Sequence, residues 1–328
     1  MELPIELKEK IEEEFKNVDI KELKEAAKNI SDKYRDKTEN KVTNRLISNE
    51  IEAIAYSASR MPATYGAIYK ALKHCIEVLK LENNNIEIES LLDVGAGTGA
   101  ASWASLELLN IKEITCIENE ENMLKMYKKL ISDKEKELDN IKCIKKNLIV
   151  DEIDEKSDLV IVSYVINEIS KENREKILKK LIDATNKILI IVEPGTPEGF
   201  NTIKAIRKYF IENKEKILAP CPHNLECKID ENDWCSFSAR VARSKLHKIL
   251  KDGDVPYEDE KFSYIAICKD ERKINVEKVI LRHPIIEKGK ITCKLCSNKG
   301  IIEEKVITKK DKELFKKIKK LNSGDILN

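Results

Sequence analysis

No stretch of this 328-residue sequence approaches the eighteen or so consecutive apolar residues of a membrane-spanning helix. The opening "MELPIELKEKIEEEF" is charged and acidic, without the apolar core of a signal peptide. A cytoplasmic location is therefore expected, a compartment in which structural disulfides are rare. There is also no excess of either charge. With 60 Lys and Arg against 59 Asp and Glu, the net charge is +1, which argues against a histone-like nucleic-acid binder but leaves room for a local basic face. Internal repeats and low-complexity linkers are absent. The length suits two or three domains, and 41% hydrophobic residues can build their cores.

Residues 1–85 read as helical, rich in Lys, Glu, Ile and Ala at helix-like spacing, as in "IKELKEAAKNISDKY". "SRMPATYGAIYKALKHCIEVL" continues the pattern, with Pro62 near a helix start. From about residue 90 the texture changes. "LLDVGAG", "EITCIEN", "IKCIKKN", "DLVIVSYV" and "ILIIVEPG" have the length and β-branched content of buried parallel strands, with charged amphipathic stretches between them. This alternation predicts a Rossmann-like α/β core over residues 86–270, with "KFSYIAICKD" as one more strand. Residues 271–328 carry short strand-like pieces and predict a small β-rich carboxy-terminal module.

"LLDVGAGTGAASWA" delivers Asp93 and then Gly95, Ala96, Gly97 and Gly99 before a helix begins. Glycines here let the backbone turn tightly and approach a ligand. The spacing is not the G-x-G-x-x-G of dinucleotide folds, and the Lys-Ser/Thr of a phosphate loop is missing. With an acid two places before the first glycine, the stretch looks like the first motif of S-adenosylmethionine-dependent methyltransferases. Glu118, at the end of the next strand, is placed to accept hydrogen bonds from both ribose hydroxyls. Asn147, after the third strand, is expected near the adenine.

A catalytic signature does not accompany this site. The polar-Pro-Pro-aromatic motif of base N-methylation is replaced by "SYVINEIS", and no Lys-Asp-Lys-Glu set is found. Pro220-Cys221 matches the nucleophile of cytosine C5 methylation only formally. Asn167, Glu168 and Glu193 fall at or just past predicted strand ends, where they could cap helices as readily as touch substrate. The catalytic residues stay unassigned.

Nine cysteines are present. Cys221, Cys227 and Cys235 lie in "CPHNLECKIDENDWC", with five and seven residues between them, and "ITCKLCSNKG" adds Cys293 and Cys296. In a cytoplasmic chain this grouping favours a metal over cross-linking. Only the 293/296 pair has the C-x2-C form of a zinc knuckle. The wide spacings of the first three suit a loop around something larger, such as an iron–sulfur cluster. Cys75, Cys116, Cys143 and Cys268 sit in apolar patterns and read as core, and His223 reads as a loop or capping residue.

The runs "IVEPGTPEGF", "LAPCPHNLEC", "DWCSFSARVARSKLHK" and "VPYEDEKFSYIAI", with "RMPATYGA" and the terminal "SGDIL", resemble the methyltransferase-like family associated with the small ribosomal subunit. Its eukaryotic members are mitochondrial small-subunit assembly factors. The resemblance runs from about residue 60 to the end. It implies a methyltransferase-fold core, a [4Fe-4S] cluster on Cys221, Cys227, Cys235 and Cys296, and binding to small-subunit ribosomal RNA during assembly. Cys293 is an additional thiol, which keeps zinc or a swapped fourth ligand open. Ser323 stands where the family has an aromatic before Gly-Asp.

"SFSARVARSKLHKILK" contains no acidic residue. Read as one helix, it puts Arg240, Arg243, Ser244, His247 and Lys251 on one face, with an apolar stripe on another. Residues 269–328 hold 17 Lys and Arg against 9 Asp and Glu. Arg240, Arg243, His247 and Lys251 are therefore expected to meet RNA phosphates. Two functions follow: an RNA methyltransferase, or a non-catalytic assembly factor of the same fold. No membrane partner is expected, and the free chain is expected to be a monomer.

Overall fold

The amino-terminal sequence folds as helices because each stripe of apolar residues returns at helical spacing. In α1 (Ile5–Phe15), Leu7, Ile11 and Phe15 share the buried face. It is followed by α2 (Ile20–Arg35), α3 (Glu50–Ser59) and α4 (Met61–Leu81), the last with Pro62 in its first turn. Asn49 caps α3 by accepting from the Glu52 amide at 2.8 Å. The computed structural model describes residues 1–16, 18–35, 47–83, 86–251, 253–271 and 275–328. The part of the helical expectation covering residues 36–46 lies outside them.

The chain divides into two compact units, each assembled from several segments. The first comprises residues 1–70, 88–186 and 239–260; the second comprises 71–87, 187–238 and 261–328. In the first unit the alternating pattern becomes β1 (Ser90–Val94), α5 (Ala100–Leu108), β2 (Glu113–Glu118), α6 (Glu121–Ile131), β3 (Asn140–Lys145), β4 (Ser157–Ser163) and α7 (Lys171–Asp183). The strands run in the order β3-β2-β1-β4, all parallel. Asp93 stands beside Cys116 and Ile161, and Cys116 beside Cys143. Leu91, Leu92 and Val94 are wholly buried, as a strand covered on both faces demands. All the strand ends that carry the glycine turn and Glu118 therefore point the same way.

The second unit holds nearly all of β5 (Thr185–Pro194), then α8 (Pro197–Glu212) and β6 (Lys216–Ala219). After β7 (Phe237–Ala242) and α9 (Lys245–Leu250) comes β8 (Tyr257–Cys268), which lies antiparallel between β5 and β6 within this unit. A small antiparallel sheet completes it: β9 (Lys278–Ile280), β10 (Ile285–Glu287), β11 (Lys290–Ser297), β12 (Ile302–Thr308) and β13 (Ile326–Leu327), with α10 (Lys312–Ile318) against β11 and β12. The architecture is thus mixed α/β and Rossmann-like, with a helical amino terminus and a β-rich carboxy-terminal sheet, as expected.

One expectation is corrected. "SFSARVARSKLHKILK" is not a single helix but β7 followed by the short α9. Phe237, Ala239 and Val241 point inward while Arg240 and Ala242 point out, a period of two that belongs to a strand. Ser244 then accepts from the His247 amide at 3.0 Å and starts α9.

Within the first unit α4 approaches β7 closely at Gly66, where a Cβ would stand 2.4 Å from Val241 Cγ2. Replacing Gly66 with Leu should cost about 1–3 kcal/mol through overpacking. The gain in helix propensity, up to about 1 kcal/mol, cannot offset that. Urea unfolding of the full chain should show a lower midpoint for Gly66→Leu, and an unchanged midpoint would contradict this packing.

Candidate cofactor site and cysteine pocket

The glycine turn joins the end of β1 to the start of α5. Gly95 has φ +67°, and a Cβ on it would lie 2.4 Å from Val165 Cγ2, so conformation and space both require glycine. The Gly95 and Ala96 amides donate to the Ile117 carbonyl at 2.8 and 3.1 Å. The Gly97 amide donates to Glu118 Oε2 at 2.8 Å, while Asn119 and Glu120 donate to Oε1 at 2.7 and 2.8 Å. Glu118 thus fastens the turn to the end of β2. Burial raises its pKa and these three amides oppose the rise. Oε1 already accepts two amides and Oε2 one, so Oε2 keeps a lone pair that a ligand hydroxyl could use.

Asp93 lies beneath the turn. It is buried, and its Oδ2 accepts from the Ser102 amide at 3.0 Å and the Ser102 hydroxyl at 2.8 Å. Burial pushes its pKa up to about 7, against the Ser102 bonds and with help from the charge of Glu118. Its visible work is to hold α5 to β1. Asn147 likewise serves its own turn: its Oδ1 accepts from the Ile149 amide at 3.0 Å. Among the described residues, Thr98 Oγ1, buried within the turn, has no hydrogen-bond partner. A cradle of this shape with an orphaned hydroxyl fits a polar cofactor.

Asn167 and Glu168 lie in a 3₁₀ turn after β4, whereas Glu193 lies inside β5 and is fully buried. The four basic residues expected to face RNA occur in the first unit, mostly with acidic partners. Arg240 makes a bidentate pair with Asp259 at 2.7 Å and sits over the Tyr257 ring at 3.9 Å. Lys251 bonds both oxygens of Glu258 at 2.6 and 2.8 Å, and Arg243 lies 3.7 Å from Glu258. His247 corrects the sequence reading most clearly. It is 1% exposed and turned toward Glu258 at 2.8 Å, because its place on α9 faces the interior.

In the second unit Cys221, Cys227, Cys235 and Cys296 line one cavity of about 40 Å³, where a single water needs on the order of 10–15 Å³. The loop carrying the first three is fixed from several sides. Trp234 Nε1 donates to the Gly195 carbonyl at 3.1 Å, Ser263 Oγ to the Cys235 carbonyl at 2.7 Å, and Asp233 pairs with Arg282 and Lys294. The fourth thiol comes from β11. Cys293 and Cys296 are three residues apart on an extended strand and so face opposite sides. Cys293 packs with Ile280, Ile291 and Leu295 in the small sheet's core, whereas Cys296 packs with Cys227 and Cys235. Burial raises the pKa of Cys221, of Cys235 strongly, and of Cys296 to about 12; neighbouring thiols add to each rise.

Among the described residues, no three His, Cys, Asp or Glu side chains are gathered as a site for one metal ion. Two further residues join the pocket that sequence reasoning did not identify. Arg207, only 4% exposed, donates from Nε to Cys221 Sγ at 3.3 Å, and His223 Nε2 lies 3.4 Å from Cys296 Sγ. The signal was present for Arg207, which shares the buried face of α8 with Ile203, Ile206 and Phe210.

A parallel strand, a glycine turn onto a helix, and an acid closing the turn from the next strand define an α/β fold of methyltransferase type. The chain belongs to the family described as mitochondrial small ribosomal subunit Rsm22, whose profile matches residues 50–328. It is 23% identical over 294 residues to the mitochondrial ribosome assembly protein METTL17 of Homo sapiens, covering 84% of this chain and 62% of that protein. It is 25% identical over 246 residues to the mitochondrial Rsm22-cox11 tandem protein 2 of Schizosaccharomyces pombe, covering 66% of this chain and 32% of that protein. The chain therefore spans less than two thirds of the length of these relatives. The magnesium protoporphyrin IX methyltransferase of Synechocystis PCC 6803, solved with bound S-adenosylmethionine, is similar at 11% identity with a TM-score of 0.41, over 73% of this chain and 91% of that one. No helix among the described residues is long and apolar enough to cross a membrane.

The buried Asp93 has a testable pH signature. Its pKa rises from the ordinary 3.8 to about 7 on folding, so the native state binds its proton more tightly than the unfolded chain. The stability it contributes is complete below about pH 4 and lost as pH rises toward 7. Asp93→Asn keeps an acceptor for Ser102 but cannot ionise. Its stability relative to the wild type, from urea unfolding, should rise between about pH 4 and 7 and level off above. A pH-independent difference would contradict the assignment.

Proposed function

We propose that this chain binds S-adenosylmethionine at the glycine turn and acts as a methyltransferase on small-subunit ribosomal RNA during ribosome assembly. The observation that carries the cofactor assignment is the fastening of Gly97 to Glu118. It leaves a turn beside a carboxylate whose Oε2 can still receive a ribose hydroxyl. Gly95, Ala96, Gly97 and Gly99 supply the close backbone, Glu118 the diol contact, and Asn147 the turn beside the adenine. Asp93 acts from below as the support of the turn. When bound, the cofactor supplies an electrophilic methyl group on a sulfonium; the chain's part is to orient it and exclude water.

A second reading, a non-catalytic assembly factor, is favoured by the end of β4. There "SYVIN" stands in place of a methyltransferase signature, and the Tyr164 hydroxyl donates to Glu260 at 2.8 Å. In both readings Cys221, Cys227, Cys235 and Cys296 hold a [4Fe-4S] cluster. Four thiols lining one cavity, with the wide spacings of the first three, support a cluster over zinc. The cluster would be held by thiolates, so its binding would release the protons that burial favours on Cys221, Cys235 and Cys296. Arg240, Arg243 and Lys251 meet phosphates by exchanging their acidic partners, with His247 acting behind Glu258. The helical region 1–85, the core 86–270 and the basic module 271–328 share the work in a cytoplasmic, monomeric protein.

Three measurements test this. Calorimetric titration should show S-adenosylmethionine binding, weakened about tenfold or more in Glu118→Ala, which is about 1.4 kcal/mol; equal affinity would remove Glu118 from the site. Protein purified without oxygen should carry about four irons and four sulfides per chain. Cys227→Ser and Cys296→Ser should lose them while Cys293→Ala keeps them; one zinc without sulfide would refute the cluster. Primer extension on ribosomal RNA from a deletion strain separates the two readings. One lost modification on normal subunits supports the enzyme, and stalled subunits with unchanged modifications support the assembly factor.

A further inference from the structure

Arg207 is a cation buried in an apolar pocket, and its position there needs a reason. Its Nε donates to Cys221 Sγ at 3.3 Å, and its Nη2 donates to the carbonyls of His223 at 3.0 Å and Leu225 at 2.5 Å. The same guanidinium therefore holds the loop that carries His223 and touches the first thiol. His223 is 5% exposed and its ring is fixed by its neighbours. The Leu225 amide, which can only donate, points at His223 Nδ1 at 3.1 Å. Nδ1 is then an acceptor, and the ring proton sits on Nε2. Nε2 lies 3.4 Å from Cys296 Sγ, so the imidazole N–H is directed at sulfur.

Two N–H donors thus converge on two sulfurs that come from distant parts of the chain, joined through one buried guanidinium. Four thiolates lining one small cavity would form a concentrated negative charge. The reduction potential of a thiolate-held cluster depends on net charge, exposure and hydrogen bonds to the sulfurs. One fixed positive charge and two N–H···S bonds all favour the more negative, reduced state.

We propose that Arg207 and His223 form a positioning clamp that holds Cys221 and Cys296 ready for the cluster and raises the cluster's reduction potential. The inference rests on the reading of the four cysteines as iron–sulfur ligands. Neither residue is itself a ligand. Where a substituted protein still loads its cluster, the clamp predicts a shifted potential at unchanged iron and sulfide content.

The test is a potentiometric titration followed by electron paramagnetic resonance, on anaerobically purified full-length protein whose iron and sulfide are measured first. Arg207→Met removes charge and donor, Arg207→Lys keeps the charge, His223→Phe removes the imidazole donor, and His223→Gln restores an N–H donor. Loaded Arg207→Met should show the ratio of reduced to oxidised cluster at the wild-type midpoint lowered about tenfold, a fall of about 59 mV for one electron. His223→Phe should shift the same way, with recovery in His223→Gln and an intermediate value in Arg207→Lys. Variants that keep the fold by circular dichroism but lose iron, with His223→Gln and Arg207→Lys retaining it, also support the clamp. Wild-type midpoints and spectra in loaded Arg207→Met and His223→Phe overturn it. If Arg207→Met does not fold, loaded His223→Phe with an unchanged midpoint overturns it alone. A wild-type protein without iron and sulfide takes the proposal down together with the cluster reading, and that result is in hand before any variant is compared.

Discussion

The carboxylate of Asp93 sits at the end of a strand covered on both faces, with Leu91, Leu92 and Val94 wholly buried around it. Asp93 is only 1% exposed, so its carboxylate has to be satisfied within the structure or pay the full cost of desolvation. Ser102 answers with both its amide and its hydroxyl, and that hydroxyl also meets the Tyr127 hydroxyl at 2.9 Å. The start of α5 is thereby fixed relative to the end of β1. Whatever joins the two must turn within a few residues, which is what the glycines do. Glu118 then holds the turn from the neighbouring strand. The stiffness of the candidate cofactor cradle follows from polar groups that have no alternative partners.

The cysteine pocket solves a different problem. Its four sulfurs come from a long loop and a distant strand, so the chain must close a large contour before they meet. Trp234, Ser263 and the Asp233 ion pairs fix the loop from several sides. Cys221, Cys235 and Cys296 favour their protons while bare, since burial and neighbouring thiols both oppose ionisation. The pocket is assembled by neutral and ionic contacts outside it.

Much of this was legible in the sequence. The strands of the parallel sheet announce themselves as short β-branched runs, and the glycine turn sits between strand and helix as its spacing requires. The three clustered cysteines and Cys296 were also visible, the latter through family resemblance rather than through spacing. The segment from Phe237 to Leu250 misled because sorting charges round a helical wheel ignores the alternation of Phe237, Ala239 and Val241, which fixes a strand. His247 looked like a surface cation and is buried, since its acidic partner Glu258 lies beyond the segment being read. Asp93 and Asn147 were assigned to the cofactor by motif, whereas their side chains answer backbone amides nearby. Those bonds depend on local geometry that a motif does not encode. His223 was set aside as a loop residue, and nothing in its flanking sequence reveals that its ring is wedged between an amide and a sulfur.

The two cysteines of β11 illustrate how parity governs chelation. Along an extended chain, an odd separation sends two side chains to opposite sides, so a C-x2-C pair acts as a chelate only where the backbone turns. In β11 it does not turn, and one strand serves two interiors at once, with Cys293 in one and Cys296 in the other. Cys293 is consequently free to drift to any small apolar residue without disturbing the pocket. A single inserted residue between the two would turn both to the same side of the strand, carrying Cys296 away from its partners. Length in this strand is therefore held more tightly than composition.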